Sequence, residues 1–381
     1  MSVESPKLMS WIHDLRAGGA ETSLLLELEQ LRDRGFQVSV GIVSHDRTLA
    51  PRYEAAGIEV FDLGNGSRWS RGRRLRQILK EQRPDVVEVI LFWPNIVVRP
   101  LARVMGIKVV TQLANEEYGA VQRRQSRYGA LGVYLAQMAD LLTSRFANHF
   151  RAVAKGVKVT MSKRLLLRES HVSVIHIARD MSNVGRRTDE RRAAARLALG
   201  VRDDTFVVMT TGRHDAQKNQ VVAVKAIAHL AQTRPNTTLL IAGRSGHGTA
   251  AIENAIHAAP DSLDVRLLGE RSDVYDLLCA ADCYVMPSLW EGFSGAVVEA
   301  MALELPMVLS DIPSMHEVTE DRAWFFPASD PVACAELLER VAQGEYPQTL
   351  VEESRRRAEG ELDIHSITSQ LETTYRRLMA N

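Results

Sequence analysis

The sequence has 381 residues, of which 45% are hydrophobic and 25% are charged, as is usual for a soluble protein large enough for two domains. Its net charge is zero, but residues 1–180 contain 27 Lys and Arg against 18 Asp and Glu, so a basic first half precedes an acidic second half. A signal peptide and a membrane-spanning run are not recognisable, and three cysteines in apolar surroundings fit buried thiols, so we expect a cytoplasmic protein.

The first half alternates short β-forming runs with amphipathic helices. Its first predicted strand, residues 8–12, leads through Gly18 and Gly19 into a helix over residues 20–34. These glycines allow the backbone to approach a ligand at a helix N-terminus, although they also suit a plain tight turn. Further strands are predicted at 36–43, 58–63, 85–90, 107–112, 149–153 and 172–177, with helices at 71–82, 94–105, 123–146 and 157–164. This alternation predicts a mainly parallel sheet with helices on both faces.

The second half repeats the same alternation after a polar stretch, residues 180–190, which we interpret as a linker. Strands are predicted at 206–211, 237–242, 265–268, 282–286, 307–310 and 323–326, with helices at 191–199, 219–232, 250–258, 274–281, 332–342 and over much of 350–379. The fold class is therefore α/β, with two Rossmann-like, doubly wound parallel-sheet domains. We place them at residues 1–182 and 183–362, followed by a C-terminal helix at 363–381.

Polar side chains follow three predicted strands of the second domain. Arg213 and Lys218 lie in the first turn, GRHDAQKN, and two fixed cations at a strand end suit a diphosphate, although surface charges are the simpler interpretation. The second turn is LGER at residues 268–271, and the third lies in DCYVMPSLWEGFSGAVVEAMALELP at 282–306. There Glu291 and Glu299 flank a helix that Ser294 can cap, unless they are a solvated loop residue and a helix-surface residue. In a parallel sheet all three turns face one crevice.

Taken in order, these motifs resemble glycosyltransferase family 4, a group of retaining enzymes with the GT-B fold. The resemblance covers nearly the whole chain, through GGAE at 18–21, GRHDAQKN at 212–219, LLGER at 267–271 and AADCYVMPSLWEGFSGAVVEAMALELPMVLSDIP at 280–313. It implies two domains that face each other across a cleft. Residues 1–182 then bind the acceptor, residues 183–362 bind the nucleotide-sugar donor, and the last helix packs back on the first domain.

The resemblance also implies roles for matching positions. Arg213 and Lys218 hold the diphosphate as it leaves, Glu291 contacts hydroxyls of the donor sugar, and these three form the predicted catalytic group. Glu299 accepts hydrogen bonds from the ribose. The remaining donor contacts are the backbone N–H groups of Ser294, Gly295 and Ala296, then Glu270 and Arg271 beside the base, and Gly18 and Gly19 at the phosphates.

The implied reaction is a retaining transfer of a hexose from a nucleotide-sugar, with UDP as the first expectation, to a hydroxyl of a glycan, a lipid-linked saccharide or a small molecule. The sequence has no Asp-x-Asp at a strand end, so we expect neither a metal nor another cofactor, with Arg213 and Lys218 in the metal's place. Two alternatives stay open. One is another GT-B enzyme, a nucleotide-sugar epimerase or a phosphorylase, and the other is a non-catalytic nucleotide-sugar-binding protein.

The sequence departs from the family pattern twice in the first domain and once in the signature block of the second. The histidine that many members carry after the fifth strand is replaced by TQLANEEYG, with Ala114 or Asn115 in its place. The usual Asn-Gly before the linker is replaced by HIARD, and the signature glycine after phenylalanine is Ser294. We name Asn115 and His13 as acceptor-side candidates, with a structural histidine as the alternative for His13.

Basic and apolar residues occur together in the first half. Arginines crowd the helix at 71–82, while Arg123, Arg124 and Arg127 precede an apolar run that contains Tyr134 and Leu135. This combination predicts peripheral binding to an anionic membrane surface, at the inner face of the membrane, unless the apolar residues pack in the core. We expect no nucleic acid as a partner, since no recognition motif or interleaved aromatic pattern accompanies the basic residues.

Overall fold

The computed structural model describes residues 5–16, 18–125, 128–260 and 262–380. Arg127, named above, lies outside these residues. The chain divides into two compact units, the first formed by Met1–Ala178 with Ile364–Asn381 and the second by Arg179–Asp363. No helix in the described ranges is both long enough and apolar enough to cross a membrane.

The first unit is built on a parallel sheet. Its strands are β1 (Lys7–Ile12), β2 (Gln37–Ile42), β3 (Glu59–Asp62), β4 (Val86–Ile90), β5 (Lys108–Leu113), β6 (His149–Ala152) and β7 (Val172–Val174). Its helices are α1 (Gly19–Asp33), α2 (Ala50–Ala55), α3 (Arg68–Gln82), α4 (Phe92–Val104), α5 (Ala120–Gln125), α6 (Gly129–Ser144), α7 (Lys155–Arg164) and, at the end of the chain, α17 (Ile364–Ala380). The strand order is β3-β2-β1-β4-β5-β6-β7, with all neighbours parallel.

A buried group of charges lies at the centre of this unit. Arg151 on β6 forms ion pairs of 2.6 Å with Glu27 on α1 and 2.7 Å with Glu88 on β4. Burial opposes the charged form of Arg151, but the two carboxylates raise its pKa above the usual value. Tyr375 on α17 is also buried, and burial and the Glu88 carboxylate raise the pKa of its hydroxyl. The group therefore connects α1, two strands and the C-terminal helix.

The second unit repeats the architecture. Its strands are β8 (Phe206–Thr211), β9 (Thr237–Ala242), β10 (Asp264–Gly269), β11 (Cys283–Met286), β12 (Met307–Ser310) and β13 (Trp324–Phe326). Its helices are α8 (Met181–Val184), α9 (Asp189–Leu199), α10 (Gln220–Leu230), α11 (Thr249–His257), α12 (Val274–Ala280), α13 (Gly295–Ala302), α14 (Pro313–Thr319), α15 (Pro331–Ala342) and α16 (Gln348–Gly360). The parallel strands lie in the order β10-β9-β8-β11-β12-β13, so the prediction of two Rossmann-like parallel-sheet domains is confirmed.

Three local predictions were wrong. The stretch at 180–190 is not a plain linker, because Asp180 caps α8 by accepting a hydrogen bond from the Ser182 N–H at 3.0 Å. The single helix predicted over 123–146 is two helices, α5 and α6. Helices α2 and α14 were not predicted, because each is short and has a proline in its first turn. In a sequence such a proline is easily taken as a loop residue, although the first turn of a helix tolerates it.

We predict that Arg151→Met destabilises the protein by about 3–5 kcal/mol, because it leaves two buried carboxylates without their cation. Chemical denaturation followed by circular dichroism measures the change. The control is Arg73→Met on α3, an exposed arginine, for which we expect a change within about 0.5 kcal/mol. Equal effects of the two substitutions would contradict a stabilising role for the buried group.

Candidate active site

The candidate site lies where two neighbouring strands of the second unit end. Strand β8 is the first strand of the unit and β11 lies beside it, so the strand order reverses between them. Such a switch point is where open α/β sheets bind ligands. The loop after β8, residues 212–219, and the loop after β11, residues 287–294, therefore meet at one edge. The Leu289 N–H donates to the Gln217 carbonyl at 2.8 Å, and the Gln217 amide donates to the Trp290 carbonyl at 3.0 Å.

Two of the predicted catalytic residues are in direct contact across these loops. Lys218 Nζ lies 2.6 Å from Glu291 Oε1, which also accepts a hydrogen bond from Ser288 Oγ at 2.8 Å. Glu291 is only 8% exposed, so the interpretation as a solvated loop residue was wrong. The Lys218 side chain lies along Gly212, whose φ of +135° suits glycine and where a Cβ would come within 3.0 Å of Lys218 Cε.

Arg213 is on the same loop and is half exposed. Its Nε donates to Asp215 Oδ2 at 2.6 Å, and Asp215 Oδ1 in turn accepts from the Lys218 backbone N–H at 3.1 Å. Asp215 therefore orders both ends of the loop that carries the two predicted phosphate-binding cations. In the described ranges, no three His, Cys, Asp or Glu side chains converge in a way that could hold a metal ion.

A third loop, GRSGHG at residues 243–248 after β9, supports the loop after β8 and is not among the residues predicted for the site. A Cβ on Gly243 would overlap the Gly212 carbonyl, and one on Gly246 would overlap the His214 carbonyl. The His214 N–H donates to the Arg244 carbonyl at 3.0 Å. Three glycines directly after a predicted strand were the available signal, because they indicate that another backbone passes closely.

Helix α13 begins at this edge, and Ser294 caps it as predicted by accepting from the Val297 N–H at 3.4 Å. Gly295 and Ala296 form its first turn. Glu299 does not lie on an exposed helix surface, because its Oε1 accepts a hydrogen bond of 2.6 Å from Arg179 Nε. Arg179 belongs to the HIARD segment and is not among the residues predicted for the site.

The other predicted donor residues lie apart from this group. Glu270 and Arg271 follow β10, which is the edge strand and is separated from β8 by β9. Both are exposed, and Arg271 Nε donates to Asp273 Oδ1 at 2.7 Å. They share the carboxyl edge of the sheet with Lys218 and Glu291, as predicted, but at its far end.

Four predicted residues belong to the first unit. Gly18 and Gly19 lie at the start of α1, where a Cβ on Gly18 would overlap the Glu21 carboxylate. His13 follows β1, with its Nε2 3.8 Å from Asp14 Oδ2, and burial lowers its pKa. Asn115 follows β5 and is partly buried. Their roles at a donor or acceptor stay predictions.

Two family models match successive parts of the chain. The model "Glycosyltransferase Family 4" matches residues 17–182, and "Glycosyl transferases group 1" matches residues 192–359. The second match includes the loops that carry Lys218 and Glu291 and the helix that carries Glu299. The resemblance found in the sequence is therefore confirmed.

Curated relatives match shorter segments. An Escherichia coli UDP-Gal:α-D-GlcNAc-diphosphoundecaprenol α-1,3-galactosyltransferase is 25% identical over 243 residues, which cover 62% of this chain and 60% of the relative. The lipopolysaccharide core biosynthesis mannosyltransferase LpsB of Rhizobium meliloti is 31% identical over 131 residues, 33% of this chain and 37% of the relative. The chain thus spans less than two thirds of the length of the curated relatives it matches.

Solved structures resemble nearly the whole chain. HepE from Anabaena in complex with UDP and glucose has a TM-score of 0.83 and 19% identity, and the match covers 98% of this chain and 100% of HepE. WaaG, a glycosyltransferase involved in lipopolysaccharide biosynthesis, has a TM-score of 0.70 and 16% identity, with 96% and 98% covered. At these identities the likeness shows the fold alone, which is the predicted GT-B fold.

We predict that Gly243→Ala destabilises the protein by about 1–3 kcal/mol, because the added methyl group would overlap the Gly212 carbonyl and push the β8 loop aside. Thermal unfolding measures the change. The matched control is Gly360→Ala in the same unit, where no atom lies within 4 Å of an added Cβ. Unchanged stability of both variants would contradict the close approach of the two loops.

Proposed function

Because the chain belongs to glycosyltransferase family 4, we propose that it transfers a hexose from a nucleotide-sugar, with UDP as its nucleotide, to a hydroxyl group of an acceptor. The observation that carries this proposal is the Lys218–Glu291 contact beside Arg213 at the switch point of the second sheet. This contact places cations, which can bind a leaving diphosphate, beside a carboxylate, which can accept hydrogen bonds from the hydroxyls of a sugar.

The proposed reaction breaks the bond between the anomeric carbon and the diphosphate oxygen, and the electron pair leaves with the diphosphate. Arg213 and Lys218 stabilise the negative charge that develops there. An ammonium group has three N–H donors, so Lys218 can hold Glu291 and still donate to phosphate oxygens. The acceptor oxygen bonds to the anomeric carbon on the face that the diphosphate leaves, and its proton passes to the leaving phosphate, which retains the configuration.

The remaining donor contacts follow from the local geometry. The N–H groups at the start of α13, at Ser294, Gly295 and Ala296, suit phosphate or sugar oxygens. Glu299, one turn into the helix, is proposed to accept from the ribose. Because HepE has been solved with UDP-glucose, a UDP-sugar is the donor we propose first. No metal is part of the proposal, since Arg213 and Lys218 supply the positive charge.

For the acceptor, we propose a lipid-linked saccharide reached at an anionic membrane surface. The Escherichia coli relative acts, by its name, on a diphosphoundecaprenol-linked sugar. In this chain, helix α6 has its polar residues Asp140 and Ser144 buried and its apolar residues Leu131, Tyr134, Leu135 and Leu142 exposed, Leu131 by 70%. The alternative that this run packs in the core is wrong for these exposed residues.

A buried ion pair accounts for this orientation. Arg99 on α4 lies 2.6 Å from Asp140 Oδ1, and the Tyr118 hydroxyl donates to Asp140 Oδ2 at 2.9 Å. Turning the apolar face of α6 inward would take Asp140 away from its cation, which is costly. The apolar face therefore stays at the surface.

Charge favours a membrane as the occupant of this surface. Helix α4 contacts both α3 and α6 and carries exposed Trp93 and Val104. Helix α3 carries exposed basic residues and Trp69, which is 84% exposed. On α3 and directly after it, exposed basic residues are Arg68, Arg73, Arg74, Arg76, Lys80 and Arg83. Aromatic and apolar residues beside arginines match an anionic bilayer interface.

We predict that Lys218→Ala lowers kcat by about 10²-fold or more, because it removes a preorganised donor to the leaving diphosphate. Acceptor-dependent release of UDP from UDP-sugars, assayed in a chelating buffer, measures this. Lys225→Ala, an exposed lysine on α10, is the matched control and is expected to retain activity.

The same assay separates the alternatives. An epimerase would change the sugar without releasing UDP, and a phosphorylase would need inorganic phosphate. A non-catalytic binding protein would bind the nucleotide-sugar but release no nucleotide, with or without the acceptor. Activity that depends on an added metal would contradict the metal-independent part of the proposal.

We predict that the protein floats with liposomes containing anionic lipid at low salt, and that Leu131→Asn with Leu135→Asn reduces the bound fraction severalfold, because the variant loses apolar area at the interface. Leu197→Asn, which changes a more exposed leucine of the second unit, serves as the control. Equal flotation of both variants, or no binding by the wild type, would overturn the membrane proposal.

A further inference from the structure

Arg179 is held in one place by its backbone. Its N–H donates to the Leu362 carbonyl at 3.0 Å, and the residue forms a parallel bridge with Asp363. The next residue, Asp180, caps α8. Arg179 is only 5% exposed, so its side chain projects into the protein from a fixed point.

The guanidinium lies against the first turn of α13. A Cβ on Gly295 would overlap it, so glycine is needed there for Arg179 to reach its partner. That partner is Glu299, four residues further along the helix and therefore on the same face. The Arg179 Nε donates to Glu299 Oε1 at 2.6 Å, which is a charge-assisted hydrogen bond in a largely buried place.

This contact leaves Glu299 able to bind a second donor. A carboxylate has two oxygens and about four acceptor positions, so one Arg N–H does not saturate it. It does limit the orientations that the side chain can adopt. A carboxylate held in this way can accept from a hydroxyl group of fixed position without losing further conformational freedom.

We propose that Arg179 is a positioning residue, which holds Glu299 in the orientation that accepts a hydrogen bond from the donor ribose. Arg179 thereby makes the site select ribonucleotide over deoxyribonucleotide diphosphates. This inference rests on the proposed function, because it takes Glu299 as the ribose contact. It assigns a purpose to one of the segments in which the sequence departs from its family, HIARD.

The experiment measures dissociation constants by calorimetry for UDP, 2′-deoxy-UDP and 3′-deoxy-UDP. The proteins are the wild type, Arg179→Ala, Arg179→Lys, Glu299→Gln and the double variant Arg179→Ala/Glu299→Gln. We expect the wild type to prefer UDP over at least one deoxy analogue by about tenfold or more, since a hydrogen bond to a charged group is lost. Arg179→Ala should reduce that preference to within about threefold, and Arg179→Lys should restore little, since a lysine cannot reproduce the planar guanidinium.

The double variant tests whether Arg179 acts through Glu299. Once Glu299→Gln has removed the preference, Arg179→Ala should change it no further, which is the non-additivity expected of two residues in one interaction. Gly295→Ala is a second route to the same effect, because it displaces the guanidinium without removing its charge. The control is Arg186→Ala, an exposed arginine a few residues further along the chain, whose guanidinium is paired at the surface with Glu359.

The outcomes separate this inference from the proposed function. If the wild type binds no nucleoside diphosphate, the proposed function fails. If the wild type prefers UDP and Arg179→Ala keeps that preference while remaining folded, Arg179 only anchors the chain and the inference is overturned. If Arg179→Ala does not fold, Gly295→Ala and Arg179→Lys test the inference instead. The measurement is again the ratio of the dissociation constants for the deoxy analogues and for UDP.

Discussion

One ion pair joins the two loops on which the candidate site depends. Lys218 and Glu291 follow adjacent strands of one parallel sheet, and their charged atoms lie 2.6 Å apart. At this partly buried position each charge loses hydration, so each is tolerated because the other is present. The pair therefore needs both loops in place. It also puts a cation beside a carboxylate without adding net charge, which suits a ligand that combines phosphate with sugar hydroxyls.

Much of this arrangement can be predicted from the sequence, because it follows from strands that are buried apolar runs. The strands predicted at 206–211, 237–242 and 307–310 agree with β8, β9 and β12 to the residue. Each is bounded by turn residues, so both ends are marked. In a parallel sheet the ends of neighbouring strands meet at one edge. The proximity of Lys218 and Glu291 follows from that geometry, although the 2.6 Å contact does not.

The contacts that support the site could not be predicted in the same way. Arg179 and Glu299 are 120 residues apart in the chain, and no periodicity relates an arginine in a loop to a glutamate inside a helix. The glycines after β9 do carry a local signal of close backbone approach. Which backbone approaches them depends on the strand order, with β9 beside β8. The supporting role of such residues can be recognised only in the folded structure, where distant segments of the chain are in contact.

The orientation of helix α6 also could not be predicted from the sequence. Its composition predicts an apolar face turned inward, because burying apolar area is the dominant favourable contribution to folding. The Arg99–Asp140 pair opposes this, since turning that face inward would separate two buried charges. The first unit thus keeps an apolar surface that its own folding does not use. That surface, together with the exposed arginines of α3, is the basis of the proposed membrane contact.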